Sequence, residues 1–228
     1  MDTPTLQAAY VLHARRYGDS SLLLELLTRT QGRLACIAKG ALRPRRTDAR
    51  VQAFQPLLVE VRGRGEVLTL ARTEAAGAPQ RLTGRSLYCG LYLNELLLKL
   101  TARQDPCGGL FDDYERALRD LLATSAVEPV LRRFEVRLLE HLGLGLALEL
   151  DTQGQPIRAD SRYTYDVDSG ASPSRGTGAA VVSGATLLAL KHGDFTEGDS
   201  LLQARVLMRR ILNHHLDGRP LRSRELFR

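Results

Sequence analysis

The chain has no tryptophan, only three cysteines, 5% aromatic residues and no apolar run long enough to cross a bilayer. Each deficit excludes something. Cys36, Cys89 and Cys107 are odd in number and too scattered for CxxC pairs, which argues against a disulfide framework or a zinc ribbon and for reduced thiols. A membrane helix needs about 18 consecutive apolar residues, and Met1-Asp2-Thr3-Pro4-Thr5 lacks the basic and apolar regions of a secretory leader; the expected location is the cytoplasm. Catalytic signatures are missing as well. There is no glycine-rich phosphate loop with a lysine, no GxSxG, no HExxH and no GxGxxG after a strand, and Gly143-Leu144-Gly145 lacks the third glycine. His13, His141, His192, His214 and His215 form no ligand pair, since the adjacent His214 and His215 diverge on a helix. No catalytic residue, metal site or cofactor is expected, and the chain reads as a non-enzyme.

What is present is a core-forming chain with an uneven charge. A length of 228 residues with 43% apolar side chains suits one large or two small domains. Residues 1–80 hold 12 Arg and Lys against 7 acids, and the remainder holds 20 against 19, so nearly all of the net +6 lies in the first third. The stretch 31–50 concentrates it. Gly32 to Gly40 alternates as a half-buried strand, with Leu34, Cys36 and Ala38 facing one way and Arg33, Ala35, Ile37 and Lys39 the other. Arg43, Arg45, Arg46 and Arg50 follow, broken by Pro44 and by a single acid, Asp48. Guanidinium groups on a loop suit phosphate, which they meet with several planar donors. A merely solvated loop would have the same composition, because like charges repel and stay in water.

Along the chain, strands are expected at Gln7–Arg15, Ser21–Thr28, Gly32–Gly40, Pro56–Arg62 and Glu66–Arg72, with turns at Gly18-Asp19, Gln31-Gly32 and Gly63-Arg64-Gly65. Five strands in under 75 residues, with a long third connection, predict an OB-fold barrel; an SH3-like barrel would leave a similar trace. The pattern changes near Thr83. Helices are expected over 85–100, 110–123, from Glu128-Pro129 to Gly143, and at about 183–191 and 198–216. Residues 145–183 are polar and Gly/Ser-rich and read as a hairpin insertion. The fold expected is therefore α+β with two domains: 1–80, an OB-fold whose charge suits nucleic acid, and 81–228, a mainly helical domain that carries the hairpin insertion.

An OB barrel offers a groove that tracks a single-strand backbone. The candidate DNA-binding residues are Arg15, Arg16, Arg33, Lys39, Arg43, Arg45, Arg46, Arg50, Arg62 and Arg64. Tyr10, Tyr17 and Phe54 are the aromatics of this third, and Tyr10 and Phe54 are expected inside the barrel. Phosphate contact should therefore outweigh base stacking.

Several segments carry a resemblance. Tyr10-Val11-Leu12-His13, Ser20-Ser21-Leu22-Leu23-Leu24, Gly32-Arg33-Leu34, Ala38-Lys39-Gly40-Ala41, Phe54-Gln55-Pro56-Leu57 and Gly63-Arg64-Gly65-Glu66-Val67 resemble the N-terminal domain of the RecO family. Cys89 to Leu97 and Leu131-Arg132-Arg133-Phe134-Glu135 resemble its helical domain, and Leu221 to Phe227 its C-terminal segment. The resemblance implies a mediator of DNA repair and recombination in the cytoplasm, associated with the nucleoid. Such a protein binds single- and double-stranded DNA, anneals complementary strands and, with RecR, helps RecA displace the single-strand binding protein SSB; RecF is a further possible partner. It also implies that the helical domain docks the acidic, apolar-ended tail of SSB, for which Leu110, Phe111, Arg132 and Arg133 are the candidates. Some members bind zinc through four cysteines on the insertion. Residues 151–155 and 172–176 contain none here, so no zinc is expected. Two other readings remain: a basic protein-interaction adaptor without direct DNA activity, and a nuclease, which the absence of an acidic metal-ligand cluster disfavours.

Overall fold

The computed structural model describes residues 6–42, 51–178, 180–195 and 198–227. The chain forms two compact units, residues 1–124 with 221–228, and residues 125–220. In the first, five strands close a barrel: β1 (Gln7–Tyr17), β2 (Ser21–Thr28), β3 (Gly32–Ala38), β4 (Leu57–Arg62) and β5 (Val67–Ala75). Their order around the barrel is β1-β2-β3-β5-β4. All neighbours are antiparallel except β3 and β5. This is the OB-fold arrangement. One side chain in two along each strand turns inward, and Ala9, Val11, Leu24, Leu26, Cys36, Ala38, Leu57 and Val59 fill the interior. Burial, and then the charge of Glu25, push the Cys36 thiol up to about 12, so it stays protonated and inert.

Two helices follow the barrel in the same unit, α1 (Gly84–Leu100) and α2 (Gly108–Ala123). They cover Tyr10 and Leu12, which lie on the outer side of β1 and are buried. The Tyr10 ring meets Phe111 at 5.6 Å and Tyr114 at 5.3 Å between centroids. Asn94 donates through Nδ2 to the Leu12 carbonyl (3.0 Å) and accepts from the Tyr114 hydroxyl (2.6 Å). The Leu12 carbonyl needs that donor because β1 is bulged here: Val11 pairs with Leu26 and His13 with Glu25, which leaves Leu12 opposite no residue.

The connection between the two helices lies along β3. The Gln104 amide donates to the Arg33 carbonyl at 2.8 Å. Gly32 sits at φ +66, and a β-carbon there would lie 2.0 Å from the Asp105 carbonyl oxygen, so only glycine admits this approach. The chain end returns to this unit as a 3-10 helix, Arg222–Phe227. Its Arg222 and Ser223 amides and the Ser223 hydroxyl donate to the Glu95 carboxylate at 2.6–2.9 Å. Lys99 sits on the same carboxylate at 3.1 Å.

The second unit packs α3 (Val127–His141), α4 (Gly184–His192) and α5 (Gly198–His215) with a three-stranded sheet. The expected hairpin is β6 (Arg162–Asp166) with β7 (Gly170–Pro173), and β8 (Val181–Ser183) pairs on the other side of β6. A third strand of only three residues has too little periodicity to be read from sequence. The polar turn before β6 is closed by Asp151, whose Oδ1 accepts from the amides of Gln153 and Gln155 at 2.8 and 2.9 Å.

Two outcomes follow from this packing. Replacing Asn94 by Ala removes the donor to the buried Leu12 carbonyl and the acceptor of the Tyr114 hydroxyl and should cost about 3 kcal/mol in urea unfolding; Tyr114→Phe should cost about a third of that. Burial alone would raise the Glu95 pKa, but its hydrogen bonds from Ser223, Arg222 and Lys99 hold it below the usual 4.5. A depressed carboxylate contributes stability above its unfolded value that is lost as pH falls through the folded one. Hydrogen exchange of the Arg222 and Ser223 amides should therefore quicken below pH 4.5 relative to barrel amides, and Glu95→Gln should abolish that acid-dependent difference.

Candidate nucleic-acid interface

Register decides which cations share a surface. Around the barrel, Arg15 pairs with Leu23, Leu23 with Ile37, Ile37 with Thr69 and Thr69 with Arg62. Residues opposite one another in a ladder project from the same side. Their inward neighbours Leu24, Cys36 and Leu68 occupy the core, so this row faces outward. Its centre is half-buried and apolar, Leu23 and Ile37, and its two ends are exposed arginines.

Other groups extend the row. Tyr17, paired with Ser21, lies two residues beyond Arg15 on the same side and is 52% exposed. Lys39 is exposed in the turn after β3, and Arg64 is exposed at the tip of the β4–β5 hairpin between Gly63 (φ 117) and Gly65 (φ 98). Val67, 44% exposed, continues the apolar strip toward that tip. Arg62 Nε lies 2.6 Å from Glu60 Oε1, yet the Arg62 side chain remains 67% exposed and keeps its other donors outward. Together these residues form an apolar and aromatic strip edged by four cations. Such a surface can hold phosphates by charge and bases by contact with their faces.

The ten cations named from sequence do not behave alike. Arg33 is on the outer face, as its alternation predicts, but Nη1 pairs with Glu25 Oε2 at 2.9 Å and Nη2 donates to the Thr101 carbonyl at 2.9 Å. Only 14% of its side chain is exposed, so Arg33 holds the interhelical connection against the barrel. Arg103 pairs with the same Glu25 carboxylate, and that hydrogen bond raises the already high Arg103 pKa. Arg16 is exposed at the end of β1, opposite Leu22 and out of step with Arg15. Arg43, Arg45, Arg46 and Arg50 lie outside the described residues.

Three of the four candidates for peptide docking are placed otherwise than expected. Leu110 and Phe111 are buried within the first unit, Phe111 against Tyr10 and beneath the Arg29 guanidinium at 4.7 Å. Arg132 is buried within the second unit and paired with the buried Glu135. Arg133 alone is exposed, its aliphatic stem passing Gly193 at the end of α4. Leu110, Phe111 and Arg132 thus have no face to offer a peptide. The helical pattern that marks Leu110 and Phe111 is the pattern of an inward face, whereas nothing local distinguishes the enclosed Arg132–Glu135 pair from the exposed i,i+3 pair Arg137–Glu140 on the same helix.

Tyr17 joins the site although its composition alone does not mark it; the signal for it in the sequence is β-strand parity with Arg15. Among the described residues no three His, Cys, Asp or Glu converge as metal ligands. No helix among them is long and apolar enough to cross a membrane.

Comparison with known proteins bears on both units. The model of the family described as Recombination protein O N terminal matches residues 1–78, and that described as Recombination protein O C terminal matches residues 81–225. A protein of Methylococcus capsulatus named DNA repair protein RecO is 48% identical, with 98% of this chain and 93% of that protein aligned. Proteins of the same name from Azoarcus sp. (45% identical, 96% and 93% aligned) and Halorhodospira halophila (46%, 97% and 96%) are similar to the same extent. With both of its parts matched and relatives this alike over nearly their whole length, the chain belongs to the RecO family of DNA repair proteins.

Proposed function

We propose that this protein is a recombination mediator that binds single- and double-stranded DNA on its barrel, anneals complementary strands and, with RecR, helps load RecA onto DNA coated by SSB. The observation that carries the reading is the outward row from Arg15 through Leu23, Ile37 and Thr69 to Arg62, edged by Tyr17, Lys39 and Arg64. Arg43, Arg45, Arg46 and Arg50, which follow β3 in the chain, add to the same phosphate contacts; Arg33 does not. Neutralising phosphates on two strands lowers their mutual repulsion, and base pairing then supplies the free energy of annealing. No reacting group is required.

The division of labour is part of the proposal: residues 1–80 meet DNA and residues 81–228 meet partner proteins, with RecF as a further one. For the acidic tail of SSB, a better surface than the buried Leu110, Phe111 and Arg132 is the exposed side of α5. There Leu202 and Val206 are 51% and 49% exposed and share one helix face with Arg205 and Arg209. Apolar anchors beside guanidinium groups suit a peptide that is acidic and ends apolar.

The four cations of this row should contribute about 3 to the fall in log affinity per log unit of salt on a single strand, and Arg15→Glu with Arg62→Glu should lower the total slope by about 1.4. Fluorescence titration across a salt series measures it; a slope unaltered by the pair would remove this row from the interface. Leu202→Asp with Val206→Asp should weaken binding of an SSB-tail peptide at least about tenfold, with DNA affinity retained. Equal peptide affinity in isothermal calorimetry would exclude the α5 face.

A further inference from the structure

Beside the hairpin that carries Arg64, the first unit contains a cavity of about 490 Å³, lined by Gln31, Leu34, Val61, Gly63, Arg64, Gly65, Leu68, Gln104 and Pro106. Its chemistry is divided. The floor is apolar: Leu34 is buried, Leu68 packs on the barrel core, and Val61 and Pro106 close the sides. The rim carries two amide side chains, Gln31 and Gln104, and the bare backbone between Gly63 and Gly65. The one charged group on the lining is the Arg64 guanidinium, and no carboxylate is present.

The wall at Gln104 is held in an uncommon conformation. Gln104 has φ +57, where residues other than glycine are rarely found. Two hydrogen bonds keep it there: its amide donates to the Arg33 carbonyl at 2.8 Å, and its Nε2 donates to the Gly65 carbonyl at 2.9 Å. The second bond ties the hairpin tip to the interhelical connection across the cavity. Strain retained by surrounding contacts points to a function for the position.

We propose that this cavity receives one unstacked nucleobase from the strand whose phosphate lies on Arg64. The inference rests on the DNA-binding reading above and assigns that surface a subsite. Three features of a nucleotide meet three features of the lining. A planar ring gains from the apolar floor, its edge acceptors and donors suit Gln31 Nε2 and Gln104 Oε1, the amide atoms left over once Gln31 Oε1 has accepted from Gln7 and Gln104 Nε2 has donated to Gly65, and its phosphate suits the single cation at the mouth. An apolar protein side chain would use the floor alone, and an acidic one would find a single counter-charge. A base held here is removed from the stack of its own strand and presented singly, which favours annealing by keeping the strand from folding on itself.

The test uses the full-length protein and single-stranded oligonucleotides carrying 2-aminopurine at one position at a time. Bound wild-type protein should alter the fluorescence at one or a few positions, and an abasic residue there should weaken binding about tenfold, the scale of one base contact. Gln31→Trp, which fills the mouth from an exposed turn, should remove the fluorescence change and the abasic penalty together, with the salt slope unaltered. Gln104→Gly, whose backbone angle glycine adopts readily, should lower the abasic penalty without plugging the cavity. An abasic penalty equal in wild type and Gln31→Trp would overturn the subsite while leaving DNA binding intact; so would uniform 2-aminopurine fluorescence. Absence of salt-dependent oligonucleotide binding in the wild type would overturn the subsite and the reading on which it rests.

Discussion

One extra residue in β1 governs the surface of the barrel. Had β1 continued without the bulge at Leu12, strict alternation would have carried Ala14 and Arg16 outward with Tyr10, and turned His13, Arg15 and Tyr17 toward the core. The bulge resets the phase, so that His13 stands opposite Glu25 and Arg15 opposite Leu23 on the outer side. A bulge leaves backbone groups without ladder partners, and here Asn94 of α1 supplies one from outside the sheet. The same Asn94 receives the Tyr114 hydroxyl, so both helices are tied to the point where the strand changes phase.

Charge in the first unit is sorted by pairing. Glu25 projects from the middle of β2 into what would otherwise be a continuous basic face, and Arg33 and Arg103 both close on it. Glu25 offsets one of those two charges, and the cluster fastens the interhelical connection over the face. Among the described residues Arg15 and Lys39 enter no such cluster, Arg62 is only partly engaged by Glu60, and Arg64 projects from the hairpin tip beside the interhelical connection. A surface intended for phosphate has to leave its guanidinium donors in water until the ligand arrives, whereas a structural arginine is desolvated in advance by its own carboxylate.

The second unit shows the same distinction within one helix. Arg132 and Arg133 are neighbours in the chain, yet Arg132 is enclosed with Glu135 and Arg133 is exposed. Sequence alternation on a helix separates adjacent residues by about 100°, and which of the two faces inward depends on what α4 and α5 bring against α3. Leu110 and Phe111 illustrate the converse: their amphipathic spacing marks them as apolar face residues, and the aromatic side of β1 is what covers them.

The amino-acid sequence by itself determined the five barrel strands, the glycine turns between them, the helices after Thr83 and the inward set Leu34, Cys36, Ala38, Leu57 and Val59. These follow from periodicity and backbone preference, which act over a few residues. The excess of arginine in the first third was legible from composition, and the family from the resemblance of segments spread along the chain. Only the tertiary structure decided which arginines lie together. A bulge, a ladder register and a buried ion pair each join residues remote in sequence, as Leu12 with Asn94, Ile37 with Thr69, and Glu25 with Arg103. Local pattern carries no record of such partners, because the free energy that selects them arises only when the elements are packed.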